Sequence, residues 1–336
     1  MRDVAKAADV SPTTVWMVIH NKPGIATETV DKVRTAIADL NYVAKANDTN
    51  TKSDDDDSKR ETVGLLIENS SIPAISDVFY GDVIRGFQAE SDRLGYHVLL
   101  SMFDRNKRHV DLLETGLARK VAGFAVANDG DISPDTVMQL KIPNVPVVLI
   151  ESYIEGQTLP CILGDNFAAG YTITRHLLNK GHREIAILRG PMKYSSLVDR
   201  LRGCMAALAE VNILTPVEWM PEPVSGHPLK GYVQMREILE LPHRPTGVIA
   251  ISDKTAFGAM EAIREAGLSI PYDVAIGSID NTAESAYTRP PLTTVHIPKY
   301  EIGVLALRKL HRLIEGEETI PIKSIVYSEL IARESC

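Results

Sequence analysis

The chain has 336 residues, of which 44% are hydrophobic and 24% are charged, a composition that excludes a disordered protein and suits two or three domains. Its net charge of −8 excludes a uniformly basic nucleic-acid-binding coat, although such a total can conceal a small domain of opposite sign. No apolar run reaches the roughly 20 residues of a membrane span, the start carries no secretion signal, and three widely spaced cysteines form no disulfide framework. We therefore expect a cytoplasmic protein.

Residues 1–46 carry three helical patterns. Asp9 falls at a tight turn after the first pattern, where aspartate tolerates a left-handed backbone. Ser11 and Pro12 form a helix start, with serine as the N-cap and proline at the first position, where its missing N–H costs nothing. A third pattern starts near Thr27. Two helices joined by a tight turn, with a third that closes the core, predict a helix-turn-helix domain over residues 1–46; a three-helix interaction module is the alternative.

Residues 47–61 are predicted to be an acidic linker. Residues 47–60 contain no large apolar side chain and hold five aspartates against three Lys or Arg, so they cannot bury enough surface to offset their ordering entropy. Residues 1–46 hold six Lys or Arg against five Asp or Glu. The first domain is therefore nearly neutral, and most of the negative charge falls on residues 62–336.

Residues 62–336 alternate strand patterns with helical patterns. Residues 62–67 form a short apolar run of the buried-strand type, and the helical pattern that follows is closed by Gly95. Such alternation predicts an α/β fold, in which helices cover both faces of parallel sheets. The other predicted strands lie at residues 97–100, 121–127, 147–150, 184–188, 248–252 and 274–279.

The number of strands favours two parallel, doubly wound sheets over one, and therefore a domain of two lobes. We predict an N-lobe of about residues 62–162 and 292–318, and a C-lobe of about residues 163–291 and 319–336.

Polar and aromatic side chains follow the predicted strands. Ligands in open α/β sheets bind at the carboxyl ends of the strands, and aromatic faces with a ring of Asp, Asn and Arg suit hydroxyl-rich or heterocyclic ligands. The alternative is that these polar residues cap helices. The candidate ligand-binding residues are Asn69, Ser70, Phe79, Tyr80, Asp104, Tyr153, Asp165, Asn166, Arg200, Asp253 and Asp280.

The motifs of the first domain carry a family resemblance. Asp3-Val4-Ala5, then residues 8–15 (Ala-Asp-Val-Ser-Pro-Thr-Thr-Val), then Leu40-Asn41-Tyr42 resemble the DNA-binding headpiece of LacI–GalR regulators. The resemblance implies that the second helix enters the major groove, and that a homodimer binds a near-palindromic DNA operator. The DNA contacts that it implies are Ser11, Pro12, Thr13, Thr14, Met17, His20 and Thr29.

The rest of the chain resembles the effector domain of the same family, whose fold is shared with periplasmic sugar-binding proteins. The resemblance implies a repressor, not an enzyme, that holds a small sugar-like effector between two lobes. Arg200 matches the family's ligand-binding arginine, and Asp253 and Asp280 match its acidic strand ends. The blocks that carry the resemblance are residues 77–86, 181–186, 245–258 and 290–295.

The chain also departs from the family pattern. Trp16-Met17 stand where Ser-Arg is usual, and residues 43–51, at the family's hinge, lack its leucine wedge and precede four aspartates. Ser252 replaces an asparagine, and Glu151-Ser152 follow a strand where Asp-Arg is common. These departures keep open an alternative function, a cytosolic small-molecule sensor whose headpiece has weakened or lost operator binding.

Motifs for other chemistry are absent. The nine histidines show no HExxH or His-x3-His spacing and there is no CxxC, so we predict no metal site. No GxxxxGK[ST], GxGxxG or GxSxG occurs, which disfavours nucleotide cofactors and a serine nucleophile. We predict no cofactor and no catalytic residue. Trp219 is predicted to pack in an edge strand and not to contact a ligand.

Overall fold

The structure is a computed structural model that describes residues 2–19, 25–39, 61–68, 78–103, 121–127, 145–192, 194–222 and 229–336. The chain divides into two compact units, Met1–Ser58 and Lys59–Cys336. The predicted linker over residues 47–60 lies outside the described residues, as do His20, Asn69, Ser70 and Asp104.

The first unit is a small bundle of three helices. Val4, Val15 and Val33 are fully buried and form its core, one from each helix. Ala5, Val18 and Ala36 extend this core, so the three helices are held together by an apolar face on each, as the periodicity predicts. The helices are α1 (Arg2–Ala7), α2 (Pro12–Ile19) and α3 (Thr27–Asp39).

The turn between α1 and α2 has the predicted chemistry. Asp9 adopts a left-handed backbone with φ of 50°. The backbone N–H of Thr14 donates to Ser11 Oγ at 3.1 Å, which is the hydrogen bond of an N-cap. Both local predictions are confirmed, because a tight turn and a helix start depend on residues that are adjacent in sequence.

The second unit contains two separate sheets. The strand order is β10-β5-β4-β3-β1-β2 in the first sheet and β11-β9-β8-β7-β6 in the second. All pairings are parallel except that of β11 with β9, which is antiparallel. The strands are β1 (Thr62–Glu68), β2 (His97–Phe103), β3 (Gly123–Ala127), β4 (Val147–Ile150), β5 (Cys161–Gly164), β6 (Ile185–Leu188), β7 (Gly247–Ala250), β8 (Ala275–Asp280), β9 (Thr293–His296), β10 (Lys323–Val326) and β11 (Glu329–Ile331).

Helices pack on these sheets through apolar stripes. In the helix after β1, Val83 and Phe87 are one turn apart and fully buried, and Gly95 ends that helix with φ of 78°, as predicted. Among the described residues of this unit, besides two short 3₁₀ helices, Val217–Trp219 and Ala283–Ala286, the helices are α4 (Val78–Leu94), α5 (Asn166–Asn179), α6 (Ser195–Ala209), α7 (Leu229–Leu239), α8 (Asp253–Glu265) and α9 (Lys299–Ile314).

The two-sheet architecture agrees with the predicted fold class, but the last third of the chain is distributed differently. Strand β9, which falls in the predicted N-lobe segment 292–318, pairs with β8 in the second sheet. Strand β10, which falls in the predicted C-lobe segment 319–336, pairs with β5 in the first. Helix α9 packs on β3, β4 and β5. The chain crosses between lobes after β5, after β9 and after β10, because β5 and β10 belong to the first sheet whereas β9 and β11 belong to the second.

Trp219 does not lie in an edge strand. It ends the 3₁₀ helix Val217–Trp219, is 6% exposed and belongs to the apolar core of the second lobe. Its ring stacks on His243 with the centroids 5.8 Å apart. The predicted packing role holds, although the predicted strand is wrong, since the flanking Pro216 starts a helical turn.

Among the described helices, none combines the length and the apolar character that a membrane span requires. Within the same residues, no group of three His, Cys, Asp or Glu side chains is arranged to hold a metal ion.

Candidate functional site

The site candidates of the second unit converge on Arg200, in the middle of helix α6. Its side chain is 3% exposed. Nε donates to Asn166 Oδ1 at 2.8 Å, and Nη1 donates to the carbonyl oxygen of Ile251, just past β7, at 2.9 Å. Nη2 lies 2.9 Å from Asp280 Oδ1. A single guanidinium therefore joins the start of α5, the end of β7 and the end of β8, as its forked donors allow.

Asp280 ends strand β8 in an unusual backbone conformation. Its φ is 129° and that of Asn281 is 50°, both in the region that L-residues rarely adopt. The buried ammonium group of Lys299 donates to the carbonyl oxygen of Asp280. Asp280 Oδ1 is close to Arg200, yet the angle is not that of a hydrogen bond. The carboxylate is thus paired by charge while its lone pairs keep hydrogen-bonding capacity.

Asp253 stabilises the end of β8 through hydrogen bonds. It is fully buried at the start of α8. Its carboxylate accepts hydrogen bonds from Ser278 Oγ, from Thr294 Oγ1 at 2.6 Å and from the N–H of Thr282 at 2.7 Å. Burial, followed by the nearby Asp280 carboxylate, raises the pKa of Asp253 to about 6. Because its oxygens are already engaged, Asp253 holds the β8 end in place and does not face an open cleft.

Glu151, just past β4, brings a third carboxyl group to the cluster. It is 4% exposed and has φ of 54°. Its carboxylate accepts from the N–H of Gly164 and from Asn166 Nδ2, the latter at 3.2 Å. Burial raises the pKa of Glu151. In the sequence, Glu151 stands out only as a departure from the family pattern; the signal that singles it out is a carboxyl group directly after four buried apolar residues.

Two hydroxyl groups beside the cluster have no partner within the described part of the chain. Ser152 Oγ follows Glu151, and Thr282 Oγ1 follows the β8 end. Both side chains are 4% exposed. Buried polar atoms without partners are rare in proteins, and a bound ligand is one of the few things that can satisfy them. Neither residue was a candidate from the sequence.

The remaining ligand candidates have other contacts. Asp165 caps helix α5 by accepting from the N–H of Ala168 at 2.9 Å, which is the capping alternative left open by the sequence. Tyr153 donates to Asp199 at 3.1 Å, and Lys323 Nζ lies 3.4 Å from the centre of its ring. Tyr80 is 7% exposed and belongs to an apolar core cluster that includes residues of both lobes, and Phe79 lies in the first turn of α4. The structure brings Asn166, Arg200, Asp253 and Asp280 together.

The candidate DNA-binding residues follow helix α2 and the start of α3. Ser11, Pro12 and Thr13 are exposed, and Thr14, Met17 and Thr29 are half-buried. Ser11 Oγ also lies 2.8 Å from Thr14 Oγ1. The first turn of α2 thus offers small polar groups at the surface while Val15 faces the core, which is the arrangement a recognition helix needs.

Two family models match the chain. Residues 1–45 match the bacterial regulatory proteins of the lacI family, and residues 174–336 match a periplasmic binding protein-like domain. The sequence is 31% identical to the HTH-type transcriptional repressor PurR of Histophilus somni, over 100% of this chain and 98% of that protein. It is also 31% identical to PurR of Escherichia coli strain SMS-3-5, over 100% and 96%.

Solved structures agree with the sequence comparisons. The complex of the transcriptional regulator CelR with cellobiose superimposes with a TM-score of 0.76 at 26% identity, covering 99% of this chain and 98% of that one. The transcription regulator CcpA of Lactococcus lactis gives a TM-score of 0.73 at 25% identity, covering 82% and 99%.

Proposed function

Because this chain belongs to the lacI family of bacterial regulatory proteins and is a ligand-responsive, DNA-binding transcriptional repressor, we propose that its effector is a small, uncharged, sugar-like molecule. The effector would bind at the carboxyl ends of β4, β7 and β8, between the two lobes. The observation that carries this proposal is the buried Arg200–Asp280 pair, flanked by the unpartnered hydroxyls of Ser152 and Thr282.

The polarity of the cluster supports a hydroxyl-rich ligand. A sugar hydroxyl donates one hydrogen bond and accepts others, so it can bridge a carboxylate acceptor such as Asp280 and hydroxyl groups such as those of Ser152 and Thr282. Mixed donors and acceptors at the carboxyl ends of parallel strands are the usual surroundings of small polar ligands. The related CelR structure holds cellobiose, which is consistent with this ligand class.

The charge of the cluster supports an uncharged ligand over a sugar phosphate. Arg200 is already paired with Asp280, and its Nε and Nη1 groups donate to Asn166 and to the carbonyl of Ile251. A phosphate would have to compete with Asp280 for the guanidinium, and it would approach the buried carboxyl groups of Glu151 and Asp253. We therefore rank neutral sugars above phosphorylated ones.

On the DNA side, we propose a homodimer that acts in the cytoplasm on a near-palindromic operator. Each first unit would place α2 in the major groove of one half-site, because two-fold protein symmetry is mirrored in the site. Ser11, Pro12, Thr13, Thr14, Met17, His20 and Thr29 are the proposed contacts. An effector that favours one arrangement of the two lobes would change operator affinity by shifting the population of that arrangement.

A thermal-shift screen tests the effector proposal. The full chain is heated with neutral sugars, sugar phosphates and purines, beside Arg200→Lys and a surface control, Tyr272→Ser, whose side chain is 92% exposed. At one hundred times its Kd a true effector stabilises the protein by about 2.7 kcal/mol. We expect this with a neutral sugar, unchanged in the control and lost in Arg200→Lys, because an ammonium cannot reproduce the guanidinium fork. Stabilisation by sugar phosphates or purines alone would contradict the proposed class.

A further inference from the structure

Glu151 lies beside the point where the chain first crosses between the lobes. It follows β4 of the first sheet, and its carboxylate accepts from the N–H of Gly164, the last residue of β5 in the same sheet. The second acceptor contact is with Asn166, the first residue of α5. Helix α5 packs on α6 and on β8 of the second lobe. One carboxylate therefore binds the last residue of one lobe and the first helical residue of the other.

The crossing is tightly packed around this carboxylate. A β-carbon on Gly164 would lie 2.9 Å from Ile297 Cγ2 and 3.4 Å from Glu151 Oε1. Ile297 follows β9 and thus belongs to the second crossing. The N–H of Asp165 donates to the carbonyl of Val326, at the third crossing, at 2.8 Å. Glu151 is thus anchored where all three crossings meet.

Arg200, Asn166 and Glu151 form a chain of hydrogen bonds in which each residue donates to the next. Arg200 Nε can only donate, so the amide of Asn166 must present Oδ1 to it. The same amide must then present Nδ2 to Glu151 Oε2 and to the carbonyl of Gly164, both at 3.2 Å. Glu151 Oε2 must in turn accept. Each group fixes the orientation of the next.

We propose that Glu151 is a positioning residue of the effector site, which acts through Asn166 to fix the direction of the Arg200 guanidinium and ties that direction to the first interlobe crossing. The inference rests on the proposed function in so far as Arg200 belongs to the effector site. It adds that the state of the crossing and the orientation of Arg200 change together. Any movement of α5 relative to β4 breaks the contact between Asn166 and Glu151 and releases the amide that holds Arg200.

Replacement by glutamine isolates this role because it preserves size and removes one acceptor. The N–H of Gly164 is fixed backbone and takes the single amide oxygen. The new NH₂ group then faces Asn166 Nδ2, so two donors meet. Relief requires Asn166 to rotate, which turns Nδ2 toward Arg200 Nε and leaves the guanidinium without its acceptor. Glu151→Gln is therefore expected to act on Arg200, which it does not touch.

Hydrogen exchange of the Arg200 Nε–H measures the effect without any ligand. The full chain is labelled with 15Nε-arginine, and Arg200→Lys identifies the resonance. We expect Glu151→Gln to speed exchange about tenfold, the effect of losing one hydrogen bond to a charged group. Glu155→Gln is the matched control, the same change on the same loop at a side chain that is 81% exposed, and it should leave the rate unchanged.

A double-mutant cycle distinguishes an effect that Glu151 exerts through Asn166 from an independent structural effect of the substitution. If Glu151 acts through Asn166, Glu151→Gln adds nothing in the Asn166→Ala background, whereas independent structural effects multiply. An unchanged rate in Glu151→Gln, or a double variant whose acceleration is the product of the singles, overturns the inference. Should Glu151→Gln fail to fold, Glu151→Asp takes its place, since the shorter carboxylate loses its reach to Asn166, and an unchanged Arg200 rate there also overturns the inference. A negative sugar screen would leave this result standing, so the two proposals fail separately.

Discussion

Gly170 lies directly against the backbone of Arg200: a β-carbon on Gly170 would come within 1.9 Å of the Arg200 carbonyl oxygen. The contact is reciprocated one turn further along α6, where a β-carbon on Gly203 would lie 2.0 Å from the carbonyl oxygen of Phe167. Helices α5 and α6 therefore cross with their backbones in contact. This close crossing sets the guanidinium of Arg200 beside Asn166, the residue that starts α5.

Gly170→Ala should accordingly damage both the fold and the site. The added methyl group has to push α6 away, and overpacking of this kind typically costs about 1–3 kcal/mol. We expect a lower free energy of unfolding in urea and loss of effector-induced thermal stabilisation. Thr172→Ala, on the half-buried side of the same helix, is the control. Normal effector response in a destabilised Gly170→Ala would show that the crossing does not position Arg200.

Arg200→Ala should be strongly destabilising in the absence of any effector. It leaves three groups without their contact to the guanidinium: the buried carboxylate of Asp280, the carbonyl of Ile251 and Asn166 Oδ1. Removal of one partner of a buried ion pair costs about 3–5 kcal/mol. Adding Asp280→Asn should recover part of this loss, because the stranded charge is removed. Urea denaturation of the two singles and the double measures it. If the loss of unfolding free energy in the double variant equals the sum of the losses in the two single variants, the two residues are not coupled.

The pH dependence of stability should carry a contribution from Asp253. Its pKa in the folded protein is raised from 3.8 to about 6, so the folded state binds its proton more tightly than the unfolded state does. That stabilisation is complete below about pH 4 and is lost as the pH rises through about 6. We expect Asp253→Asn, which cannot ionise, to lack this slope.

Urea denaturation across this pH range checks the Asp253 prediction. Asparagine loses one acceptor for the Ser278, Thr294 and Thr282 donors, a cost of about 1–3 kcal/mol that does not itself depend on pH. The difference between wild type and variant should therefore be largest near pH 4 and narrow toward neutrality. Asp92→Asn, at an exposed position, is the control. A difference independent of pH would assign the carboxyl group an ordinary pKa.

Ser11→Ala should loosen the first unit by removing the N-cap of α2. The cost of losing such a cap is about 1 kcal/mol, and the amide of Thr14, which donates to Ser11 Oγ, should exchange faster with solvent. Ser11→Asp retains an acceptor at the same place and should preserve the protection. Equal exchange at Thr14 in Ser11→Ala and wild type would mean that the cap does not stabilise the helix.

Local features of the fold were predictable because their causes are local. Strand β4 matches its predicted range of residues 147–150, since four consecutive apolar residues bounded by turn signals are typical of a buried strand. The turn at Asp9 and the helix end at Gly95 follow from backbone preferences of single residues. The lobe membership of β9 and β10 was not predictable, because pairing with β8 or β5 depends on residues more than a dozen positions away.

The site was predictable only in part for the same reason. Arg200 and Asp280 follow from the rule that ligands bind at strand ends, and the structure places them 2.9 Å apart. The separate tasks of Asp165 as a cap and Asp253 as a buried support are set by which donors surround each carboxylate. Glu151 escaped the sequence reasoning because its partners, Gly164 and Asn166, meet it only after β4 and β5 have paired.

The most direct test of the account is a selection of DNA sequences by the full chain. Fluorescence anisotropy against a randomised palindrome library is measured at low salt, with a chain lacking residues 1–60 as the control. We predict enrichment of particular palindromic sequences over the rest of the library, which is lost in the truncated chain and altered by a stabilising sugar identified in the thermal screen. If no sequence is enriched at low salt, where electrostatic affinity is greatest, the protein is not an operator-binding repressor and the account is wrong.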